Sequence, residues 1–146
     1  KVMAIYTSSK WQLGTGALGA GASTGDMQVT AWSLHGDWAF SGPHRIRAGY
    51  TRANDTKGSY GSALAVTGGA VGTYVANGGQ GGTNGTLSAI QYAYAFSKRT
   101  EAAVGLNHLH NDSNAGYRIN TLGSSGAGGQ LGAKHTAYAM SLDHRF

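Results

Sequence analysis

Short runs of strict two-residue alternation, set between long glycine-rich stretches, constrain this chain more than any other feature. In QVTAWSLHGDWAF, residues 28–40, Trp32, Leu34, Trp38 and Phe40 fall on one parity, and Ser33, His35 and Asp37 on the other. Such a period places successive side chains on opposite faces of a strand. The same pattern returns in LSAIQYAYAF, where Ile90, Tyr92, Tyr94 and Phe96 oppose Ala89, Gln91, Ala93 and Ala95. It returns again at the end of the chain, where Tyr138, Met140, Leu142, His144 and Phe146 oppose Ala137, Ala139, Ser141, Asp143 and Arg145.

The pattern predicts hairpins. Gly42 and Pro43 close a tight turn after Phe40, and a strand from Arg45 to Ala53 sets Ile46, Ala48 and Tyr50 against Arg45, Arg47, Gly49 and Thr51. SKRT, residues 97–100, leads into a strand from Glu101 to His110 in which Ala102, Val104 and Leu106 oppose Glu101, Ala103, Gly105 and Asn107. The opening KVMAIYTSSK makes a sixth strand whose facing its composition leaves open. Segments 11–27, 54–85 and 111–133 read as long loops.

A helical fold has little support, because 25 of the 146 residues are Gly, and Gly destabilises helices. Charged residues make up only 12% of the chain, about half the share usual in soluble domains. The 11 Lys and Arg against 6 Asp and Glu give a net charge of +5, but the cations are scattered, and nucleic acid is not an expected partner. With no Cys, disulfide scaffolds and Cys-based metal or redox chemistry are excluded.

Alternation alone fits a strand against a protein core and a strand against lipid equally well. The asymmetry of the connections separates these readings. Short turns on one side and long loops on the other is the plan of an outer-membrane barrel, whose strands need about 9 to 11 residues to cross a bilayer. The aromatic residues at strand ends, Trp38, Phe40, Phe96 and Phe146, sit where an interfacial girdle would lie.

The segments WSLHGDWAFSGPHRIRAGYTRANDTKGS and IQYAYAFSKRTEAAVGLNHLHNDSNAGYR, with the terminal HRF, closely resemble the C-terminal part of Gram-negative general porins of the betaproteobacterial type. YAFSKRT, NDSNAGY and the final Phe are the most specific pieces, and the likeness is weakest over the glycine-rich loops. The resemblance implies an all-β, antiparallel transmembrane barrel of sixteen strands, of which residues 1–146 would supply the last six as a C-terminal fragment. It also implies a homotrimer in the outer membrane, in contact with outer-membrane lipid and acting as a passive aqueous channel for small hydrophilic solutes and ions. Tyr138, Met140, Leu142, His144 and Phe146 would then be the signal read by the barrel-assembly machinery.

On this reading the pore-facing residues are His35, Asp37, Arg45, Arg47, Gln91, Glu101, Asn107, Asp143 and Arg145. Arg45 and Arg47 are the candidates for attracting anions, with Asp37 and Glu101 as their counter-charges. No catalytic residue, metal or cofactor is expected. Gly14, Gly16 and Gly19 spell G-x-G-x-x-G, and Gly21, Ser23 and Gly25 spell G-x-S-x-G, but neither has the strand before and helix after that its chemistry needs. His108 and His110 share a strand face without an evident third ligand. Trp32, Trp38, Tyr92, Tyr94 and Tyr138 could stack on sugars, but their parity sets them opposite the charged face. The competing readings are a substrate-specific channel and a soluble glycine-rich β adhesin or binding module.

Overall fold

The computed structural model describes residues 1–13, 25–58, 64–68, 72–76, 81–119 and 131–146. Among these there is no helix. Nine strands form: β1 (Val2–Leu13), β2 (Gly25–Ser41), β3 (His44–Ala53), β4 (Lys57–Gly58), β5 (Leu64–Gly68), β6 (Gly72–Ala76), β7 (Gly85–Ala95), β8 (Thr100–Asn111) and β9 (Lys134–His144).

Six of them pair antiparallel in the order β1-β2-β3-β7-β8-β9, and the short β4 adds to β2 as a seventh strand of the same sheet. The five alternating runs and the opening segment expected as a sixth strand are these six long strands. Three short strands correct that count. β4, β5 and β6 lie within 54–85, read from sequence as a loop, and β5 and β6 form a separate hairpin. β1 and β2 also run further into 11–27 than the alternation suggested, pairing as far as Leu13 with Gly25. The two glycine motifs lie mostly outside the described residues.

β4 reaches β2 through a backbone that only Gly supplies. Gly58 has a φ of 130°, and a side chain there would run into the carbonyl oxygen of Asp26. The short turn after β2 likewise uses Gly42 at a φ of 52°, beside Pro43.

The register sorts the side chains into two faces. Trp38, Ile46, Tyr92, Val104 and Met140 lie opposite one another in a row across β2, β3, β7, β8 and β9. The adjacent row on the other face is Asp37, Arg47, Gln91, Gly105 and Ala139. The packing is inverted relative to a water-soluble sandwich. Among the described residues the buried apolar side chains are Met27, Ala93, Ala103, Leu109 and Ala115, three of them alanines, while Trp38, Ile90, Val104, Met140 and Leu142 are exposed. A contiguous run of large exposed apolar side chains like this one marks a surface that meets something other than water.

The polar face is the concave one. A hollow of about 570 Å³ on that side reaches from Met3 in β1 to Ala139 in β9, and Ala93 is fully buried there although only one layer of sheet lies behind it. On the convex face the apolar positions drift along the strands. They centre on Met140 in β9 and on Ala4, between Val2 and Tyr6, in β1, and Ala4 belongs to the row of Leu34, Tyr50, Ser88, His108 and Thr136. Met140 to Thr136 is a drift of four residues over the five strand steps of the sheet. With a rise of about 3.3 Å per residue and about 4.8 Å between strands, the apolar band crosses the sheet at a slope of roughly 30°.

Candidate functional site

The concave face gathers its charges where three strands can share them. Arg45 and Arg47 project from β3 because the Gly42-Pro43 turn pairs Ser41 with His44 and a one-residue register shift between Ala39 and Ser41 then sets Ala39 opposite Arg45 and Asp37 opposite Arg47. Asp37 then lies between the two guanidinium groups, its Oδ1 3.3 Å from Nε of Arg45 and its Oδ2 4.0 Å from Nε of Arg47. Arg47 reaches on across the sheet. It donates through Nη1 to Oε1 of Gln91 and through Nη2 to Oε1 of Glu101, each at 2.9 Å.

This bridge runs over small residues. Ala93 and Ala103, next along β7 and β8 on the same face, are buried, and Gly105 faces Gln91 so closely that a Cβ there would stand 3.5 Å from its Cβ. Gly49 does the same for His35, whose Nδ1 would lie 2.7 Å from a Cβ at that position. The cluster therefore sets two Arg against Asp37 and Glu101 with no formal charge left over. These pairs are about one-third exposed, so they order the surface and contribute little to stability.

His35, Asp37, Arg45, Arg47, Gln91, Glu101, Asn107 and Asp143 all share this face by register. Arg145 follows β9 and pairs with Asp143, Nε to Oδ1 at 3.6 Å, on the exposed rim. The structure thus joins Asp37, Arg45, Arg47, Gln91 and Glu101 into one unit and leaves His35, Asn107, Asp143 and Arg145 outside its hydrogen bonds. His108 and His110 share the convex face, and His108 Nδ1 lies 3.0 Å from the Thr136 hydroxyl. No group of three His, Asp or Glu side chains able to hold a metal occurs among the described residues.

At the short-turn end of the convex face, rings from Trp38, Phe40, His44, Tyr94 and Phe96 form a continuous chain with centroids 5.0 to 5.6 Å apart. His44 Nδ1 and the Tyr92 hydroxyl are 2.6 Å apart beside it. His144 and Phe146 meet edge to face at 4.9 Å. These contacts hold the apolar strand ends together on the turn side.

The long-loop side carries a second constellation that sequence reasoning missed. Oδ1 of Asp55 accepts from the backbone N–H groups of Thr83, at 2.8 Å, and Asn84, at 3.0 Å. The Thr83 hydroxyl accepts from the Thr56 N–H, and the Asn84 amide donates to Oδ2 of Asp112 at 2.7 Å. Asn114 closes the knot, donating from its backbone to Gly82 and from its side chain to Gly81, both at 2.8 Å. The signal was present as NDT at 54–56, TNG at 83–85 and NDSN at 111–114, each at the loop end of a strand.

Asp112 is held below the usual carboxylate range, chiefly by the Ser113 N–H and then by the Asn84 amide, which together outweigh the opposing effect of burial, with His110 adding a lesser lowering. A carboxyl whose folded value is depressed favours the folded loop at pH above its unfolded value, near 3.9, and loses that contribution as pH falls through the lower folded value. Amide-exchange protection of 111–119, corrected for intrinsic rates, is expected to hold from neutral pH to about 4 and to decline below it. In Asp112→Asn that decline should be absent.

No family model, curated protein or solved structure matches the chain.

Proposed function

We propose that this chain is part of the wall of a general diffusion porin, a β-barrel of the Gram-negative outer membrane that passes small hydrophilic solutes and ions. The observation that carries the reading is the inverted sheet: charged residues line its concave face, and large apolar side chains cover its convex one. A concave polar wall replaces the hydration that solutes lose on entering a channel, and a convex apolar wall is compatible with lipid.

Two geometric details support it. The slope of the apolar band, roughly 30°, approaches the strand tilt of about 35–45° in membrane barrels. Trp32 to Phe40 covers about 26 Å of strand, or roughly 23 Å measured across the slanted band, close to the ~25 Å apolar belt of such barrels. Closure into sixteen strands, the trimer, the assembly signal at Tyr138 to Phe146 and the outer-membrane location belong to the same proposal and rest on the family resemblance.

The mechanism involves no reaction. Solutes move down their gradients past a wall whose charges are fixed by the Asp37–Arg45–Arg47–Gln91–Glu101 unit. Because that unit is balanced, it gives only a weak preference between anions and cations, and the anion bias expected of two adjacent Arg is offset by their partners.

The test is a planar-bilayer recording of the intact protein under a salt gradient. Ohmic steps are expected, with a reversal potential near zero. Glu101→Gln leaves Arg47 without one counter-charge and should move the reversal potential toward anions, while Arg45→Ser with Arg47→Ser should move it toward cations. Unmoved potentials would remove the unit from the ion path. Saturable flux would point to a substrate-specific channel, and release into buffer without detergent would point to a soluble β module.

A further inference from the structure

Two cations of the six long strands stand apart from the rest. The Arg of the concave cluster are matched by carboxylates, and Lys10 on the convex face pairs with Asp26, whereas Arg52 in β3 and Lys134 in β9, also on the convex face, are exposed and, among the described residues, make no ion pair. They lie in one row. Arg52 stands opposite Thr86, Thr86 opposite His110, and His110 opposite Lys134, so four neighbouring strands present a guanidinium, a hydroxyl, an imidazole and an ammonium side by side. Ser88 adds another exposed hydroxyl in the next row.

Rows of this kind need an anion. Arg52 and Lys134 carry positive charge at the two ends of the row, His110 and Thr86 between them offer polar side chains, and no carboxylate lies in the row. The nearest acid is Asp112, which bears on His110 but is already engaged by the Asn84 amide and the Ser113 N–H. The row spans about 14 Å at about 4.8 Å per strand step, within the combined reach of the Arg52 and Lys134 side chains, and a tetrahedral phosphate can accept from several sides at once where a planar carboxylate cannot.

Position identifies the source of that phosphate. One row separates these cations from Ile90, Leu106 and Tyr138, where the exposed apolar band begins. A ligand with its phosphate on the row and its hydrocarbon on the band is a lipid. We infer that Arg52, Thr86, Ser88, His110 and Lys134 form a subsite for the phosphate-monoester headgroup of a membrane lipid. This rests on the membrane reading proposed above. Arg supplies paired donors in a fixed plane, Lys a mobile charge, and the hydroxyls and imidazole complete the set.

The experiment takes the intact protein in non-ionic detergent and compares phosphatidic acid, phosphatidylcholine with the same acyl chains, and inorganic phosphate. Bound lipid is read by native mass spectrometry and stabilisation by thermal unfolding. Phosphatidic acid should bind and raise Tm, the other two should not, and Arg52→Ser with Lys134→Ser should bind it about 30-fold more weakly. Equal retention of the two lipids, unchanged binding by the double variant, or equal protection by inorganic phosphate would each overturn the lipid subsite. Both proteins are also inserted into bilayers. Insertion and conductance without headgroup preference would refute the subsite and leave the porin reading standing, whereas failure of the wild-type protein to insert would refute both.

Discussion

Val104→Arg is expected to destabilise the protein in a lipid bilayer by about 2–4 kcal/mol, the penalty for a cation at mid-depth on a lipid-facing barrel wall. Val104 lies at the centre of the apolar band, in the row of Trp38, Ile46, Tyr92 and Met140, and is about half exposed. Exposure is what makes the substitution informative. In water, a half-exposed Val on one layer of sheet becomes Arg at a cost within about 0.5 kcal/mol, because the guanidinium stays solvated. In lipid the same group has no solvent, and neighbours such as Met140 and Ile90 give it no acceptor. Asn107→Arg on the opposite face is the control, and it should change stability in the bilayer by less than about 0.5 kcal/mol. Reversible unfolding of both variants in vesicles measures the difference. Equal, small effects would mean that the convex face meets water, and the porin reading would fall with it.

Much of the sheet was legible because period two is local. The facing of Trp32, Ile46, Tyr92, Val104 and Met140 follows from parity alone, and the Gly42-Pro43 and SKRT turns fix which strands are neighbours. That Asp37 and the two Arg share a face could also be anticipated, by matching the apolar parities of β2 and β3, but not their register: an unbroken two-residue hairpin would set Asp37 opposite Ala48, and the irregularity between Ala39 and Ser41 sets it opposite Arg47. The reach of Arg47 to Glu101, two strands away, could not be anticipated either. It depends on Ala93, Ala103 and Gly105 being small, which matters only once the register between β3, β7 and β8 is known.

The loop side was harder to read for a different reason. β4, β5 and β6 are two to five residues long, too short to show a period. β4 also depends on a positive φ at Gly58, which cannot be told apart in sequence from the surrounding loop glycines. The knot of Asp55, Thr83, Asn84 and Asp112 joins residues separated by almost thirty positions, and Asn, Asp and Thr near strand ends are ordinarily read as turn formers. Their repetition at the ends of three strands was the available clue. The subsite around Arg52 and Lys134 has no sequence signature at all, since β3 and β9 lie about ninety residues apart and become neighbours in a row only through β7 and β8.

The same reasoning predicts that Asn111→Ala will cost about 3 kcal/mol and will act on the loops rather than on the sheet. Asn111 is 2% exposed at the end of β8, and its side chain is used completely: Nδ2 donates to the carbonyls of Tyr117, at 2.8 Å, and Ala133, at 2.9 Å, while Oδ1 accepts from the Tyr117 N–H at 3.0 Å. Alanine removes the Asn111 partner from both the Tyr117 C=O and the Tyr117 N–H, each costing about 1–3 kcal/mol, while the Ala133 carbonyl keeps the Asn111 backbone N–H, and water entering the vacated space holds the total toward the lower end. The consequences divide by position. Segment 112–119 loses its side-chain tie to β8, so amide exchange there should quicken, while the approach to β9 keeps the Asn111 N–H bond to the Ala133 carbonyl and β7 and the concave charge cluster keep their ladders and their protection. Asn111→Asp tests the direction of the bonds: its carboxylate still accepts from Tyr117 but sets negative charge against two carbonyls, so it should destabilise at neutral pH at least as much as alanine. Partial recovery as that carboxyl protonates would identify donation to the two carbonyls as the dominant contribution, and uniform loss of protection across all six long strands would show that the knot supports the sheet as well as the loops.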